Sequence, residues 1–532
     1  MIRQAEWLVA GAVSILLLWA PLPFGSVTSW SEALLEIAVF AIFALALASG
    51  EAPGVLRRSA APAGAVAGIA LLGLLQALPS PRSFAEIVSP GHVRIFSAAR
   101  DLLAGPPAKD TVALSLAAGE SLRAALSFAA FAAALIAAGI AGRDRRRRRA
   151  IAFSLIASAL FQVLYGARRW FARSNEIWGR EIAGTNERLR GTFVNPNHLA
   201  FLLGLALPVV FAWGWWSFRR AREEILLERK LLRVAPAIIV WLLLFAGLAF
   251  TGSRAGLIAG LVAVVAQGAL LAAGERKRRW AAIGIAVAGI GLAVVASIGR
   301  EEGFGRLTEL SNGVGWTVRV EAWRATLGLV RSFPWLGTGL GSFREAFPSV
   351  QPAGLAGTWR HAHNDPLELL ATAGVVGLAL AVFALGAILL RLSDVFRHGR
   401  RSEDRAAALG ALGALAAAGL HELVDFSLTL PANAFAVAVL LGAAVSARRN
   451  QEPHGTRNGR AAVDRGDLEQ VEARRNRDRQ VERRPSGGDE GSDEIAVETD
   501  LDDRAAGGHF ADRDLEPPSG PGGDQLPARP PL

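Results

Sequence analysis

Cysteine is absent from the 532 residues, which excludes disulfides and thiolate metal sites and leaves the redox compartment open. Charge is scarce inside the long apolar blocks that recur along most of the chain; ionisable residues gather at the block ends. Beyond about residue 450 the apolar blocks are missing too, and Arg, Asp, Glu, Gly and Pro dominate. Such a segment cannot bury enough surface to offset chain entropy, so residues 448–532 are expected to be a disordered charged tail. What fills the rest is greasy: 52% of the residues are hydrophobic. A bilayer core about 30 Å thick needs roughly 20 mostly apolar residues per spanning helix. The pattern therefore predicts an all-α, polytopic membrane protein over residues 1–447.

Hydropathy places about twelve spans, centred in residues 7–20, 33–48, 62–79, 122–141, 150–166, 198–216, 234–251, 255–273, 280–298, 367–390, 406–424 and 434–447. The first resembles a signal peptide, but the PLPFG that follows offers no small-residue cleavage site, so it reads as a retained span. A formal charge of +10 is compatible with a nucleic-acid partner. Its arginines instead sit in short clusters between apolar blocks, so no nucleic-acid partner is expected. The clusters are Arg57 and Arg58, Arg143 to Arg149, Arg219 to Arg233, Glu275 to Arg279, Arg391 to Arg401, and Arg448 with Arg449. All fall on one side of the twelve-span arrangement. By the positive-inside rule that side is the cytoplasm, which puts both termini there.

The remaining loops then face outward: residues 21–32, about 80–121, 167–197, Thr251 to Arg254, a long loop at 299–366 between spans nine and ten, and 425–433. The unusual polar residues converge on this outer face. Arg190 precedes GTFVNPNH, which holds Asn195 and Asn197; Arg254 sits in TGSRAG; Arg319 and Trp323 lie in GWTVRVEAW; His361, His363 and Asn364 close the long loop; His421 and Asp425 end a span.

Each has a chemical and a bland reading. Asp365, Pro366 and Glu368 predict a helix start with Asp365 as its cap, leaving His363 and Asn364 just before a helix N-terminus. There the macrodipole disfavours a protonated imidazole and favours nearby anions, so a base and an anion site can share the place. The alternative is a pair of loop histidines with no role. Asn195-Pro196-Asn197 also reads as a helix start, and capping alone explains it. Arg254 lies between two apolar blocks with almost no loop, where a guanidinium finds an anionic partner or snorkels to the interface. Arg319 and Trp323 are one helical turn apart on an amphipathic segment reaching about Val330, so guanidinium–indole stacking is the structural alternative there. The FPWLGTGLGSF that follows is too rich in Gly and Pro for regular structure.

His363 and Asn364, nine residues, Gly374, two residues and Gly377 resemble the signature of the O-antigen ligase and O-antigen polymerase superfamily, which includes bacterial protein O-oligosaccharyltransferases. RGTFVNPNHLAFLL, TGSRAGL and PWLGTGLGSF extend the resemblance over roughly residues 190–390. The resemblance implies a GT-C-type glycosyltransferase of the bacterial inner membrane with a large periplasmic loop. It implies transfer of a glycan from undecaprenyl pyrophosphate to an acceptor hydroxyl of a glycan, lipid A core or protein, without a metal or other cofactor. It also implies roles: His363 deprotonates or orients the hydroxyl, and Arg254 and Arg319 hold the pyrophosphate, with Arg190 a further arginine before the GTF segment.

Three alternatives stay open. The His361/His363 pair, with Asp365 or with His421 and Asp425, could be drawn as a metal site. A lipid-linked glycan transporter is a different class, disfavoured because ionisable groups are nearly absent from mid-span. An inactive scaffold has only the charged tail in its favour.

Overall fold

The computed structural model describes residues 2–49, 52–102, 110–182, 188–275, 289 and 314–447. The predicted span at 280–298, the first part of the long loop and the predicted disordered tail lie outside them. Residues 1–452 form one compact unit. Its helices are α1 (Ile2–Trp19), α2 (Ser29–Ala48), α3 (Ala52–Ala77), α4 (Arg82–Val88), α5 (Pro90–Leu102), α6 (Ala118–Ala141), α7 (Arg145–Phe171), α8 (Pro196–Ala221), α9 (Leu227–Phe250), α10 (Arg254–Glu275), α11 (Val314–Ser332), α12 (Phe343–Ala346), α13 (Asp365–His398), α14 (Ser402–Glu422) and α15 (Pro431–Val445). The only strands among the described residues are two short antiparallel pairs, β1 (Pro79–Pro81) with β2 (Thr111–Ala113) and β3 (Glu176–Ile177) with β4 (Arg180–Glu181).

Eleven of the predicted spans fall on helices. Among the described residues eight helices are long and apolar enough to cross a membrane, and Gln4–Trp19 and Pro431–Val445 are shorter apolar helices. This is the architecture of an all-α, multi-pass membrane protein, in which every backbone polar group must be satisfied within the helices.

Helix α8 is the central element. Leu199 to Leu203 and Leu205 to Leu207 are buried at 1% exposure or less, so it is apolar on every side and enclosed by its neighbours α9, α10 and α14. Helix α14 packs on it through small residues: Gly410 against Val209, and Gly413 against Pro208 and Gln267. Small side chains let helix backbones approach where lipid gives no hydrophobic drive between helices. The buried Gln267 amide then donates to Pro208 O at 2.9 Å and Leu409 O at 3.0 Å, pinning three helices at one point.

The Gly-rich stretch after α11 has a definite task. Helix α13 is interrupted at Gly374, whose φ of 64° is open to glycine. A Cβ there would come within 2.2 Å of Trp335 O, and one at Gly337 (φ 71°) within 2.2 Å of Thr372 C. The 334–339 loop replaces the broken helical hydrogen bonds. Thr338 N donates to Ala371 O, Gly339 N to Thr372 O, Val375 N to Pro334 O and Val376 N to Trp335 O. Gln76 of α3 locks the loop, donating to Leu336 O and accepting from Leu340 N. The glycine of the signature thus seats the first segment of α13, and with it the histidine loop that precedes it.

Candidate functional site

The segments after α1, before α8, between α9 and α10, before α13 and after α14 supply the lining of two cavities. The smaller, about 290 Å³, is lined by Arg188, Asn197, Gly252, Ser253, Arg254, Ala255, Arg319 and Asp425. The larger, about 680 Å³, has Asn195, His198, Trp359, Arg360, His361, His363 and Phe426 among its lining residues. Adjacent residues Asp425 and Phe426 thus face different cavities.

Arg254 is the first residue of α10. The turn before it is built by Gly252 at φ 62° and by Ser253, whose hydroxyl accepts from Gly256 N at 3.2 Å. The start of the helix and the guanidinium-bearing residue therefore line the same cavity, an arrangement suited to an anion. Arg188 is held from two sides, donating through Nε to Thr251 O at 2.6 Å and through Nη2 to Asn197 Oδ1 at 2.8 Å. Asn197 in turn donates from Nδ2 to Asp425 Oδ2 at 2.7 Å. Asn195 caps α8 by accepting from Asn197 N at 2.9 Å, so the predicted helix start at Asn195-Pro196 is observed and its second asparagine is left for the site.

Asp425 is 1% exposed. Burial would push its carboxyl up, but the neighbouring His421 imidazole, the Phe426 N–H and the positive charge of Arg319 outweigh it and hold the group at about 2. His421 Nε2 lies 3.8 Å from Asp425 Oδ2 and His363 Nδ1 3.9 Å from Asp425 Oδ1. Burial, then the charge of Arg319, lowers the pKa of His363 below its usual value, leaving a neutral ring at neutral pH. His363 occupies φ 54°, a left-handed conformation costly for a residue with a Cβ and common at functional loops. Its ring packs edge-on against Phe426, with centroids 4.7 Å apart.

His361 is gripped differently. It stacks on Phe426 at 4.4 Å and 13°, and its Nδ1 lies 3.0 Å from Glu368 Oε1. Glu368 Oε2 also accepts from Ala362 N at 2.8 Å. The cap of α13 is Asn364, not the predicted Asp365: Asn364 has extended φ/ψ and its Oδ1 accepts from Leu367 N at 2.9 Å. Asparagine caps as well as aspartate does, and here the third N–H of the helix falls opposite the earlier side chain. Asn364 also donates from Nδ2 to Leu423 O at 2.9 Å, tying the histidine loop to the end of α14.

Arg254, Arg319, Asn197 and Asp425 therefore come together, with His363 beside Asp425. Asn195 and His361 line the larger cavity with His363, and His421 stands behind Asp425. Four predicted residues line neither cavity: Asn364 and His421, placed above, and Arg190 and Trp323. Arg190 is 8% exposed and lines neither cavity. Trp323 donates from Nε1 to Ala362 O at 2.8 Å and meets Trp316 edge-on at 5.3 Å, which props the histidine loop and replaces the expected stacking on Arg319. Sequence reasoning missed Arg188, two positions from Arg190, and His198 in the NPNH segment. His198 lines the larger cavity and meets Phe426 edge-on at 5.1 Å. Among the described residues no three His, Asp or Glu side chains are grouped to hold a metal ion.

A family model described as O-antigen ligase matches residues 238–382. That stretch contains Arg254, Arg319, Trp323, His361, His363 and Asn364, while Arg190, Asn195, Asn197, His421 and Asp425 lie outside it. The match supports the O-antigen ligase/polymerase superfamily that the motifs point to. No curated protein matches the chain.

Proposed function

We propose that the protein transfers or polymerises a glycan carried on undecaprenyl pyrophosphate onto an acceptor hydroxyl at the periplasmic face of the bacterial inner membrane, without a metal. The observation that carries this reading is the convergence of Arg188, Arg254 and Arg319 with the start of α10 on one cavity beside Asp425 and His363. A diphosphate is a good leaving group once its growing charge is met. Guanidiniums supply that charge in a bidentate, permanently protonated form. The acceptor oxygen attacks the anomeric carbon while the bond to the diphosphate oxygen breaks, which inverts the anomeric centre. In this reading His363 deprotonates or orients the hydroxyl, and Asp425 restrains His363 from behind.

The test is reconstitution of the protein with lipid-diphosphate-linked glycan and separate acceptors: a free glycan, a lipid A core and a protein. Covalent transfer to one of them supports the proposal and identifies the acceptor class. Passage of the lipid-linked glycan across the bilayer without transfer would overturn it in favour of a transporter.

A further inference from the structure

The two histidines of the HAHN segment are held differently by their neighbours, and this sorts their roles. His363 is partly buried, feels the positive charge of Arg319, and its Nδ1 has no hydrogen-bond partner among the described residues. Taking up a proton there would place a cation next to a cluster of guanidiniums. The Asp425 carboxylate lies 3.9 Å from His363 Nδ1, beyond hydrogen-bond reach, whereas His361 meets the Glu368 carboxylate at 3.0 Å. A carboxylate can only accept, so when Glu368 pairs with a neutral His361 ring the ring's proton sits on Nδ1, 3.0 Å from Oε1, and the lone pair is on Nε2. The carboxylate is itself fixed by the Ala362 N–H at 2.8 Å. The ring plane is fixed by stacking on Phe426 at 4.4 Å, and the imidazole lines the 680 Å³ cavity.

We infer that His361 and Glu368 form a base–orienter dyad that takes the proton of the acceptor hydroxyl, with His363 positioning that hydroxyl. This rests on the transfer reaction proposed above. The acceptor O–H proton passes to His361 Nε2 as the oxygen bonds to the anomeric carbon. The electron pair of the broken glycosidic bond stays on the diphosphate oxygen, whose charge the guanidiniums meet. The resulting imidazolium donates from Nδ1 to Glu368, which stabilises it as a buried carboxylate does in any His–carboxylate pair. The proton then leaves through the mouth of the cavity. The larger cavity is thereby the acceptor side and the smaller the diphosphate side.

Glu368→Gln tests the dyad with almost no change of shape. The amide oxygen can still accept from Ala362 N, but the amide N–H₂ then faces Nδ1 and forces the His361 proton onto Nε2, the tautomer that cannot act as base. The expected result is a fall in kcat of about 10² to 10⁴, with the KM for the lipid-linked donor and the melting temperature unchanged. His361→Ala provides a second readout: its lost activity should be partly restored by added imidazole, which a purely structural histidine would not allow. Unchanged kcat in Glu368→Gln would overturn the dyad while leaving the transfer reading standing. Absence of transfer by the unaltered protein would overturn both.

Discussion

Helix α14 runs between two arginine-rich regions that use the same side chain in different ways. Near its Asp404 end, Arg147 pairs with Glu6, Arg148 with Asp404, and Arg145 with Glu403 at 3.4 Å. Each of these three guanidiniums is matched by its own carboxylate. Beyond its His421 end, Arg188, Arg254 and Arg319 line one cavity whose lining holds one carboxylate, Asp425. Matched charges buried between helices hold elements together and have little left for a ligand. Guanidiniums gathered on one cavity are placed to meet an anion there. The placement of the side chains, rather than the number of arginines, distinguishes the two regions.

Substitutions can break that contrast, beginning with the largest effect. Arg254→Ala or Arg319→Ala should lower glycan transfer by about 10² to 10³, as expected for loss of one preorganised donor to a developing anion. The melting temperature should hold, and Arg254→Lys should restore transfer only in part because a point charge replaces a planar fork. At the other end the signs reverse. Arg148→Ala leaves Asp404 buried without its partner and should cost about 3 to 5 kcal/mol of stability, read as earlier thermal unfolding. The paired change Arg148→Met with Asp404→Leu should recover most of it. Asn197→Ala removes one hydrogen bond to the Asp425 carboxylate and one anchor of Arg188, each worth roughly 1.5 to 3 kcal/mol. Transfer should fall by about one order of magnitude, with donor KM rising.

The smallest effects concern pH and Arg190. Because the pKa of His363 is lowered from 6.5, its neutral form persists below the pH at which an ordinary histidine charges. The midpoint at which its contribution to the rate is lost should therefore lie below pH 6.5, and Asp425, held at about 2, should add no further limb near it. An acid limb above 6.5 that the His363→Gln substitution removes would refute the His363 assignment. Arg190→Lys should leave transfer close to that of the unaltered protein, whereas Arg188→Lys should reduce it.

The last comparison shows where the sequence was legible and where it stopped. Span positions were readable because each helix must be apolar for its whole length, a signal local to about 20 residues. The GTFVNPNH, TGSRAG and HAHN segments were readable as site elements because polar residues at span ends are unusual. The choice between Arg188 and Arg190 was not readable. It depends on Leu189 N pairing with Phe250 O and on Arg188 reaching Thr251 O, contacts about sixty positions away in the chain. Likewise Asp365 and Asn364 are equally good caps by residue type; only the folded turn shows Asn364 meeting Leu367 N. Trp323 was readable as a helical residue one turn from Arg319, but its hydrogen bond to the carbonyl of Ala362, from a loop 39 residues later, was not.

The central claim is that the cavity of Arg188, Arg254 and Arg319 receives a lipid diphosphate. Its most direct test is native mass spectrometry of the purified protein with undecaprenyl diphosphate and undecaprenyl monophosphate, compared with the Arg254→Ala/Arg319→Ala double variant. The account predicts that the unaltered protein retains the diphosphate lipid in preference to the monophosphate and that the double variant loses this preference. Equal retention of both lipids by the unaltered protein and the variant would contradict it.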